Sequence, residues 1–585
     1  MLKLNADDAG SLIAMAAGLF ILPFFLFSAF SGQIADKYEK SMLIRRIKLA
    51  EIGIMFLGAI AFWIGSVPML MGILFLMGVQ SAFFGPIKYG ILPQHLHESE
   101  LVGGNGVVEL GTFMAILLGT ILGTQLIIKA PNGTVLLICM SIVAVSMIGY
   151  WSSRKIPVAP ASDPSLKIRF NPAVETWKLV TYTKKHRVIF QSIIGISWFW
   201  FMGATYLAQF PIYARDILGG NGDVYTLLLA AFSIGIGSGS VLCERLSGGK
   251  VEIGLVPLGA LGITLFGLDL FFATPVAPFG SDLGLSGFLG QIAAWRVLVD
   301  IMLIGLFGGF YIVPLYALIQ KSSAPDRLSR AISCNNVLNA LFMVISAIIV
   351  AILLKAGVSI GMMFLCIAIA NALVAAYIFR LVPEFLMRFL IWMLMHSAYK
   401  VNHIGLANIP EKGAAILACN HVSFVDALLV GGSCRRPVRF VMYYKIYQLP
   451  VLNFIFRTAG AIPIAGRKEN EAMYHSAFEK MHDVIRNEEL LCIFPEGQIT
   501  RDGKMNDFKP GIMQVLEKTP APVVPIALQG LWGSLFSRKG GPAMKKMPKR
   551  LFAKIGLVVG KPIAAANVTL NGLQNSVEKL QAQQL

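Results

Sequence analysis

Charge is scarce in this sequence. Of 585 residues, 14% are Asp, Glu, Lys or Arg and 56% are hydrophobic, whereas a water-soluble globular domain carries about 25% charged residues. That shortage excludes a single soluble fold, and so much buriable side chain excludes disorder. Cysteine is sparse as well: the seven thiols, Cys139, Cys243, Cys334, Cys366, Cys419, Cys434 and Cys492, form no Cys-x-x-Cys pair and no His/Cys cluster. They read as packing residues in a reducing compartment, and no metal site is expected. Acidic residues are outnumbered, 32 against 50 Lys plus Arg, for a net charge of +18. No nucleic-acid motif accompanies that excess, so it predicts an anionic lipid surface or phosphate-bearing substrates as partners, and no nucleic acid. A cleavable signal peptide is not expected either, because MLKLNADDAG is mixed in charge and the apolar run after it is too long.

What abounds is long apolar stretches. A hydrocarbon core of about 30 Å takes roughly 20 residues of helix. Eleven stretches qualify, near 10–30, 47–66, 68–92, 105–127, 132–151, 187–209, 223–243, 253–273, 288–320, 330–355 and 358–382. Lys and Arg set their orientation. The first connection gathers Lys37, Lys40, Arg45, Arg46 and Lys48, the second none; the segments 154–187, 244–250 and 321–330 are basic, and 274–286 is not. The first loop, the central loop and the C-terminal third are therefore expected in the cytoplasm, with the N-terminus outside. The long central loop leaves five stretches before it and six after. A six-plus-six transporter of two parallel halves has this pattern when its first helix is missing.

Past residue 382 the composition changes. Residues 384–400 (EFLMRFLIWMLMHSAYK) are too short and interrupted for a span and read as an interfacial helix or linker. Beyond them, β-rich runs at 414–419, 438–442, 490–494, 523–528 and 555–559 alternate with helical ones such as 469–487. That rhythm predicts a cytoplasmic α/β domain. The expected organisation is multidomain: an all-α polytopic membrane domain over 1–382, a linker over 383–400 and an α/β domain over 401–585. From residue 383 onward there are 25 Lys plus Arg and 14 Asp plus Glu, so +11 of the net charge lies there.

The strongest constellation is Asn420-His421-Val422-Ser423-Phe424-Val425-Asp426, directly after the 414–419 strand. If a helix begins near His421, Asp426 lies close enough to orient the imidazole, as a carboxylate does in hydrolase triads. A histidine so held can act as a general base; the same residues could equally be a helix cap. Downstream stand Gly460-Ala461-Ile462-Pro463-Ile464-Ala465-Gly466-Arg467, then Phe494-Pro495-Glu496-Gly497, then Val524-Pro525-Ile526, each in or just after an apolar strand. Ser423 lacks a Gly-x-Ser-x-Gly elbow, which disfavours a covalent serine intermediate. The basic run Arg538, Lys539, Lys545, Lys546, Lys549, Arg550 and Lys554 suits anionic lipid, an acidic carrier protein or a solvated face.

Four such blocks in this order resemble the glycerolipid acyltransferases of the lysophosphatidic acid acyltransferase type, from about residue 395 to the end. The resemblance implies that His421 takes the proton from a lysolipid hydroxyl, that Asp426 orients it, and that the oxygen attacks an acyl thioester on CoA or acyl carrier protein. It also implies that Arg467 binds the lysolipid phosphate and that Asn420, Ser423, Phe494 and Pro495 belong to the site. Glu496 with Gly497 then shapes the acceptor pocket, and Pro525 lies on the acyl-chain side. Two departures stand out. Arg467 follows Gly460 by seven residues rather than six, and Gly497-Gln498-Ile499-Thr500-Arg501 separates Thr500 and Arg501 from the glycine.

In the first loop, Gly32-Gln33-Ile34-Ala35-Asp36-Lys37 followed by Lys40, Arg45 and Arg46 resembles the cytoplasmic signature of major facilitator transporters. There, the Asp and basic residues form a state-dependent latch. The match falls where the second and third helices of that family meet, so the first helix is expected to be absent through a misassigned start. SAFFGPIKYGILPQ over 81–94, Asn105 with Glu109, Trp198-Phe199-Trp200-Phe201, Gly308-Gly309-Phe310-Tyr311, and Arg330 with Asn335 and Asn336 resemble the lysophospholipid transporter branch. Ionisable groups inside spans are costly and often functional, which singles out Lys88, Glu109, Arg296 and Asp300.

The resulting expectation is a bifunctional protein of a bacterial inner membrane. Its membrane domain moves lysophospholipid across the bilayer, and its cytoplasmic domain reacylates it from acyl-CoA or acyl carrier protein to a diacyl phospholipid, without a cofactor. Two alternatives stay open: a 1-acylglycerol-3-phosphate acyltransferase whose membrane part is mainly an anchor, and a solute or drug exporter with an inactive appended domain.

Overall fold

A computed structural model describes residues 6–128, 134–247, 253–381, 383–434, 436–450, 452–541 and 552–583. The chain forms two compact units, Met1–Ile378 and Phe379–Leu585.

Among the described residues of the first unit, eleven helices are long and apolar enough to cross a membrane, from Met15–Lys37 to Ile360–Leu381. The first connection is shorter than the charge pattern suggests. One helix ends at Lys37 and the next begins at Lys40, so Arg45, Arg46 and Lys48 lie on a helix rather than in a loop. Glu39 makes that early start possible: extended at φ −63° and ψ 126°, it accepts the N–H groups of Ser41 and Met42, satisfying donors that a helix start leaves open. The uncharged second turn is built by Gly65, at φ +71°, which closes the Lys40–Ile64 helix, and by Ser66, which caps the Val67–Gly90 helix. Within the basic central segment, Pro172–Lys185 forms a further helix, capped by Asn171 through the Val174 N–H at 3.1 Å.

Glycines let two of the spans touch along their backbones. A Cβ on Gly235 or Gly239 would stand 2.1 or 2.0 Å from the carbonyl oxygens of Met302 and Leu306; one on Gly305 would stand 2.4 Å from that of Phe232. Small residues four apart on both the Gly222–Ser247 and Ile292–Ser322 helices produce this approach.

The second unit is a seven-stranded sheet. Its strands are β1 (Tyr399–Ile404), β2 (Ala415–Cys419), β3 (Val438–Tyr443), β4 (Ile462–Ile464), β5 (Leu490–Ile493), β6 (Val523–Gln529) and β7 (Ala553–Val559). The order is β1-β7-β6-β2-β5-β3-β4, parallel throughout except where β6 meets β7. β2 is buried along its whole length, as expected of a parallel strand covered on both faces. Ala415, Leu417 and Cys419 pack on one face with Leu429 and Val430 of the Asp426–Ser433 helix and Met395 of the Pro383–Ala398 helix. Ile416 and Ala418 pack on the other, with Ala477, Met481 and Ile485 of the Glu471–Arg486 helix. The helix read as interfacial thus runs over Pro383–Ala398 and joins the core of this unit, and β1 starts at Tyr399, inside the segment read as linker.

Candidate active site

β2 delivers its next residues to the carboxyl edge of the sheet, where parallel α/β folds place their ligands. Asn420 anchors the exit: its Nδ2 donates to the Leu528 carbonyl at 3.1 Å and its Oδ1 accepts the Leu528 N–H at 2.7 Å. The helix expected from His421 begins instead at Asp426. Residues 421–425 form a turn wrapped around the Asp426 carboxylate. Its Oδ2 accepts the Val422 N–H at 2.6 Å and the Ser423 N–H at 2.8 Å, and lies 2.8 Å from His421 Nδ1. A carboxylate oxygen can only accept here, so Nδ1 carries the imidazole proton and Nε2 is left with a free lone pair. Burial raises the Asp426 carboxyl above its ordinary range, opposed by the bond to His421 and the Ser423 and Val422 N–H groups. The His421 side chain keeps 21% of its surface exposed.

The 494–500 segment closes around the histidine. The Phe494 ring stacks on the imidazole with centroids 4.3 Å apart. The His421 N–H donates to Glu496 Oε1 at 2.6 Å, and the His421 carbonyl accepts the Thr500 N–H at 3.0 Å. Glu496 Oε2 accepts from Asn506 twice, from N–H at 2.7 Å and Nδ2 at 2.8 Å. Burial pushes the Glu496 carboxyl up, against these same donors. Gly497 turns the chain at φ +67°, and a Cβ there would meet Lys509 Nζ at 2.8 Å. Lys509 in turn donates its N–H to the Pro495 carbonyl at 2.9 Å.

The turn therefore gathers His421, Asp426, Phe494, Pro495, Glu496, Gly497 and Thr500. Several of these bond inward. Ser423 is fully buried, its hydroxyl 3.4 Å from that of Ser534, and Thr500 Oγ1 holds its own loop through Gly503 and Lys504. Pro525 is buried in β6 opposite Ala418. Arg501 is exposed. Arg467 is exposed too and pairs with Glu471 Oε1 at 3.2 Å. It follows β4, three strands from β2, roughly 14 Å across the sheet. Of the basic run, Lys545, Lys546, Lys549 and Arg550 lie outside the described residues, as does Lys250 in the membrane unit.

In the membrane unit, Gly32 and Asp36 face the Leu328–Lys355 helix. A Cβ on Gly32 would stand 2.3 Å from Ser333 Oγ. Buried Asp36 accepts Arg330 Nε at 2.8 Å and the Ser329 N–H at 3.2 Å; Arg330 also reaches Asp163 at 3.4 Å. Arg45 donates to the Ile156 carbonyl at 3.2 Å, and Lys37 stands 5.8 Å from the ring of neighbouring Tyr38. Lys88 lies 3.4 Å from Thr112 Oγ1 and 4.5 Å from the Tyr89 ring; Glu109 accepts the Tyr89 hydroxyl at 2.5 Å. Arg296 pairs with Asp269 across helices at 3.1 Å, and Asp300 is buried one turn further on.

Residues 2–295, just over half of the chain, match the family model of the Major Facilitator Superfamily. The chain belongs to that superfamily. A second family model, Acyltransferase, matches residues 400–529, from β1 to the end of β6, with the whole His421 turn inside it. The superfamily transporter thus carries an acyltransferase domain. The chain is similar to the lysophospholipid transporter LplT of Cronobacter sakazakii, 29% identical over 309 residues, 52% of this chain and 70% of that one. To LplT of Photorhabdus laumondii it is 27% identical over 344 residues, 58% and 79% of the two chains. Among solved structures, the 1-acyl-sn-glycerophosphate acyltransferase PlsC of Thermotoga maritima aligns with 34% of this chain and 82% of its own at 19% identity and a TM-score of 0.27. The proton:xylose symporter XylE aligns with 65% and 88% at 12% identity and a TM-score of 0.49.

Sequence reading of this superfamily transporter missed the partners rather than the principals. Asn506, which holds Glu496, carries no motif. Asp163, the second carboxylate on Arg330, stands in the basic central segment with no motif around it. Tyr316, whose ring stacks on Tyr89 at 4.2 Å, and Gln320, which exchanges hydrogen bonds with Asn105 at 2.6 and 3.1 Å, join the two halves of the bundle near Glu109. Their signal was no more than polarity within an apolar helix.

Proposed function

We propose that this multi-pass protein moves lysophospholipid across a bacterial inner membrane and reacylates it on the cytoplasmic side, giving a diacyl phospholipid. The observation that carries the enzymatic half is the His421 Nδ1 to Asp426 Oδ2 contact of 2.8 Å within the acyltransferase-matched segment. The similarity to lysophospholipid transporters supports the acceptor.

In this reading His421 Nε2 removes the proton of the lysolipid hydroxyl as the oxygen attacks the thioester carbonyl of acyl-CoA or acyl carrier protein. The tetrahedral intermediate collapses with loss of the thiolate, which takes the proton back from the imidazolium. Ester and free thiol are the products, and no acyl-enzyme forms. Asp426 stabilises the imidazolium. Arg467 and Arg501 are the exposed cations offered to the acceptor's phosphate. In the membrane domain, Lys88 and Glu109 are head-group contacts, and the Asp36–Arg330 pair is the latch of the transport cycle. Both activities on one chain raise the local concentration of acceptor at the enzyme.

The test is acyl transfer in membranes containing the protein or its His421→Ala form, with acyl-CoA or acyl carrier protein thioester and labelled lysophosphatidylethanolamine or lysophosphatidate. Diacyl product from the parent alone supports the enzyme, and the better acceptor fixes the lipid. Absence of product with every donor and acceptor overturns it.

A further inference from the structure

The central segment folds back on the membrane unit and lines an open hollow of about 380 Å³, within the range of small-ligand sites, roughly 300–1,000 Å³. Five cations line it, Lys167, Arg169, Lys178, Arg327 and Arg330, against one carboxylate, Glu175. Glu175 is already taken by Lys178 at 2.6 Å, and Arg330 by Asp36 and Asp163. Arg327 stands 4.8 Å above the Tyr182 ring and reaches Asp326 at 3.5 Å. The side chains of Lys167 and Arg169 are exposed and meet no carboxylate among the described residues.

The loop backbone that carries Lys167 and Arg169 is held in place. Buried Gln33 accepts the Arg169 N–H at 2.9 Å and donates to its carbonyl at 3.2 Å. The Asp163 N–H donates to the Asp36 carbonyl at 2.8 Å, and Lys40 Nζ holds Ser162 Oγ at 2.8 Å. A loop tied this firmly keeps like charges together at a cost in repulsion, which an anion in the cavity relieves.

Beside Arg169 the surface turns apolar. Phe170 is 63% exposed, with its ring 5.1 Å from Phe30 and 6.4 Å from Phe27 of the first helix. Guanidinium and ammonium groups around a hollow suit a phosphate ester, and an aromatic shelf next to them suits an acyl chain. We propose that this cavity binds the phosphate head group of an anionic glycerophospholipid, with the chains passing over Phe170. Neither Lys88 nor Glu109 lines it. Its wall joins Gln33 of the first helix to Arg327 and Arg330 at the start of the Leu328–Lys355 helix, so the bound lipid holds that end of the bundle together.

The test titrates purified full-length protein in detergent with phosphatidylglycerol, phosphatidylcholine or glycerol 3-phosphate, reading binding by native mass spectrometry and stability by thermal unfolding. The variants are Lys167→Glu with Arg169→Glu, and Arg154→Glu with Lys155→Glu, an equal charge change on exposed residues of the same segment outside the cavity lining. Phosphatidylglycerol is expected to bind and stabilise the parent, and phosphatidylcholine to do neither. The cavity variant should weaken binding by roughly tenfold or more, as fits losing two cations from an anionic lipid contact, and the control by less than about twofold. Equal loss in both variants overturns the site in favour of diffuse attraction. Glycerol 3-phosphate binding as tightly as the lipid overturns the lipid assignment in favour of a soluble phosphate ester.

Discussion

Glu496 Oε1 accepts the backbone N–H of His421 at 2.6 Å while Oε2 takes both donors of Asn506. The glutamate of Phe-Pro-Glu-Gly therefore fixes where the histidine stands. It is a positioning residue, and both of its oxygens are engaged within the protein.

Glu496→Ala leaves the His421 and Asn506 N–H groups unpaired, at about 1–3 kcal/mol for each buried orphan. Acyl transfer should fall and unfolding of the C-terminal unit should come earlier. Glu496→Gln separates charge from contact. Burial raises the Glu496 carboxyl above its ordinary 4.5, so the folded state holds a proton that the unfolded state has released. Stability contributed by that proton is complete below the ordinary value and is lost as pH rises through the raised one. Amide exchange in β2 and β5, corrected for intrinsic rate, should show protection declining across that window in the parent and a flatter profile in Glu496→Gln. An identical decline in both would remove Glu496 as its source.

His421→Ala should abolish acyl transfer, and Asp426→Asn should lower it by about 10²–10⁴. The Val422 and Ser423 N–H groups keep the amide's carbonyl oxygen at the Oδ2 position, so the imidazole keeps its orientation and loses the negative charge that stabilises the imidazolium. Product formation from labelled lysolipid reads both, and an Asp426→Asn protein with parental rates would contradict that electrostatic role.

Under the proposed direct transfer, Ser423→Ala should keep most of the activity, because the hydroxyl is fully buried against Ser534. The hydroxyl's two contacts, with Ser534 Oγ at 3.4 Å and the Val425 N–H at 3.5 Å, are long, so the cost is about 1 kcal/mol of stability. Quenched reactions analysed by intact mass should show no acylated protein, and acyl label on Ser423 would overturn direct transfer.

Asp36→Asn removes the buried anion facing Arg330, which keeps Asp163 as a partner, so the cost should fall below the roughly 3–5 kcal/mol of a fully orphaned buried charge. Cys334, buried one turn along from Arg330, reports on it. Alkylation of the Cys334 peptide by a small maleimide should be faster in Asp36→Asn than in the parent. Unchanged labelling would mean that the Asp163 contact suffices to keep this end closed.

The sequence told some of these elements plainly and hid others for physical reasons. β2, β5 and β6 are legible because strands covered on both faces become unbroken apolar runs. β1 is not, since Tyr399-Lys400-Val401-Asn402-His403-Ile404 alternates on the sheet edge with β7 as its one neighbour. β4 has only three residues to announce itself. His421 and Asp426 could be paired on paper because one turn of chain joins them. The Glu496 bond spans 75 positions and the Asp36–Arg330 pair 294, and no local spacing encodes either. Arg467 shows the converse: its charge is legible, but its exposure and its Glu471 partner belong to the fold.

The glycine-to-backbone contact between the Gly222–Ser247 and Ile292–Ser322 helices has a mechanical consequence. With Gly235 and Gly239 seated against Met302 and Leu306, neither helix can slide or roll on the other without a backbone collision. The two behave as one stiff beam. A joint held by side chains, by contrast, can swap partners without tearing a close-packed spine. Such a joint lies where Asp36 grips Arg330.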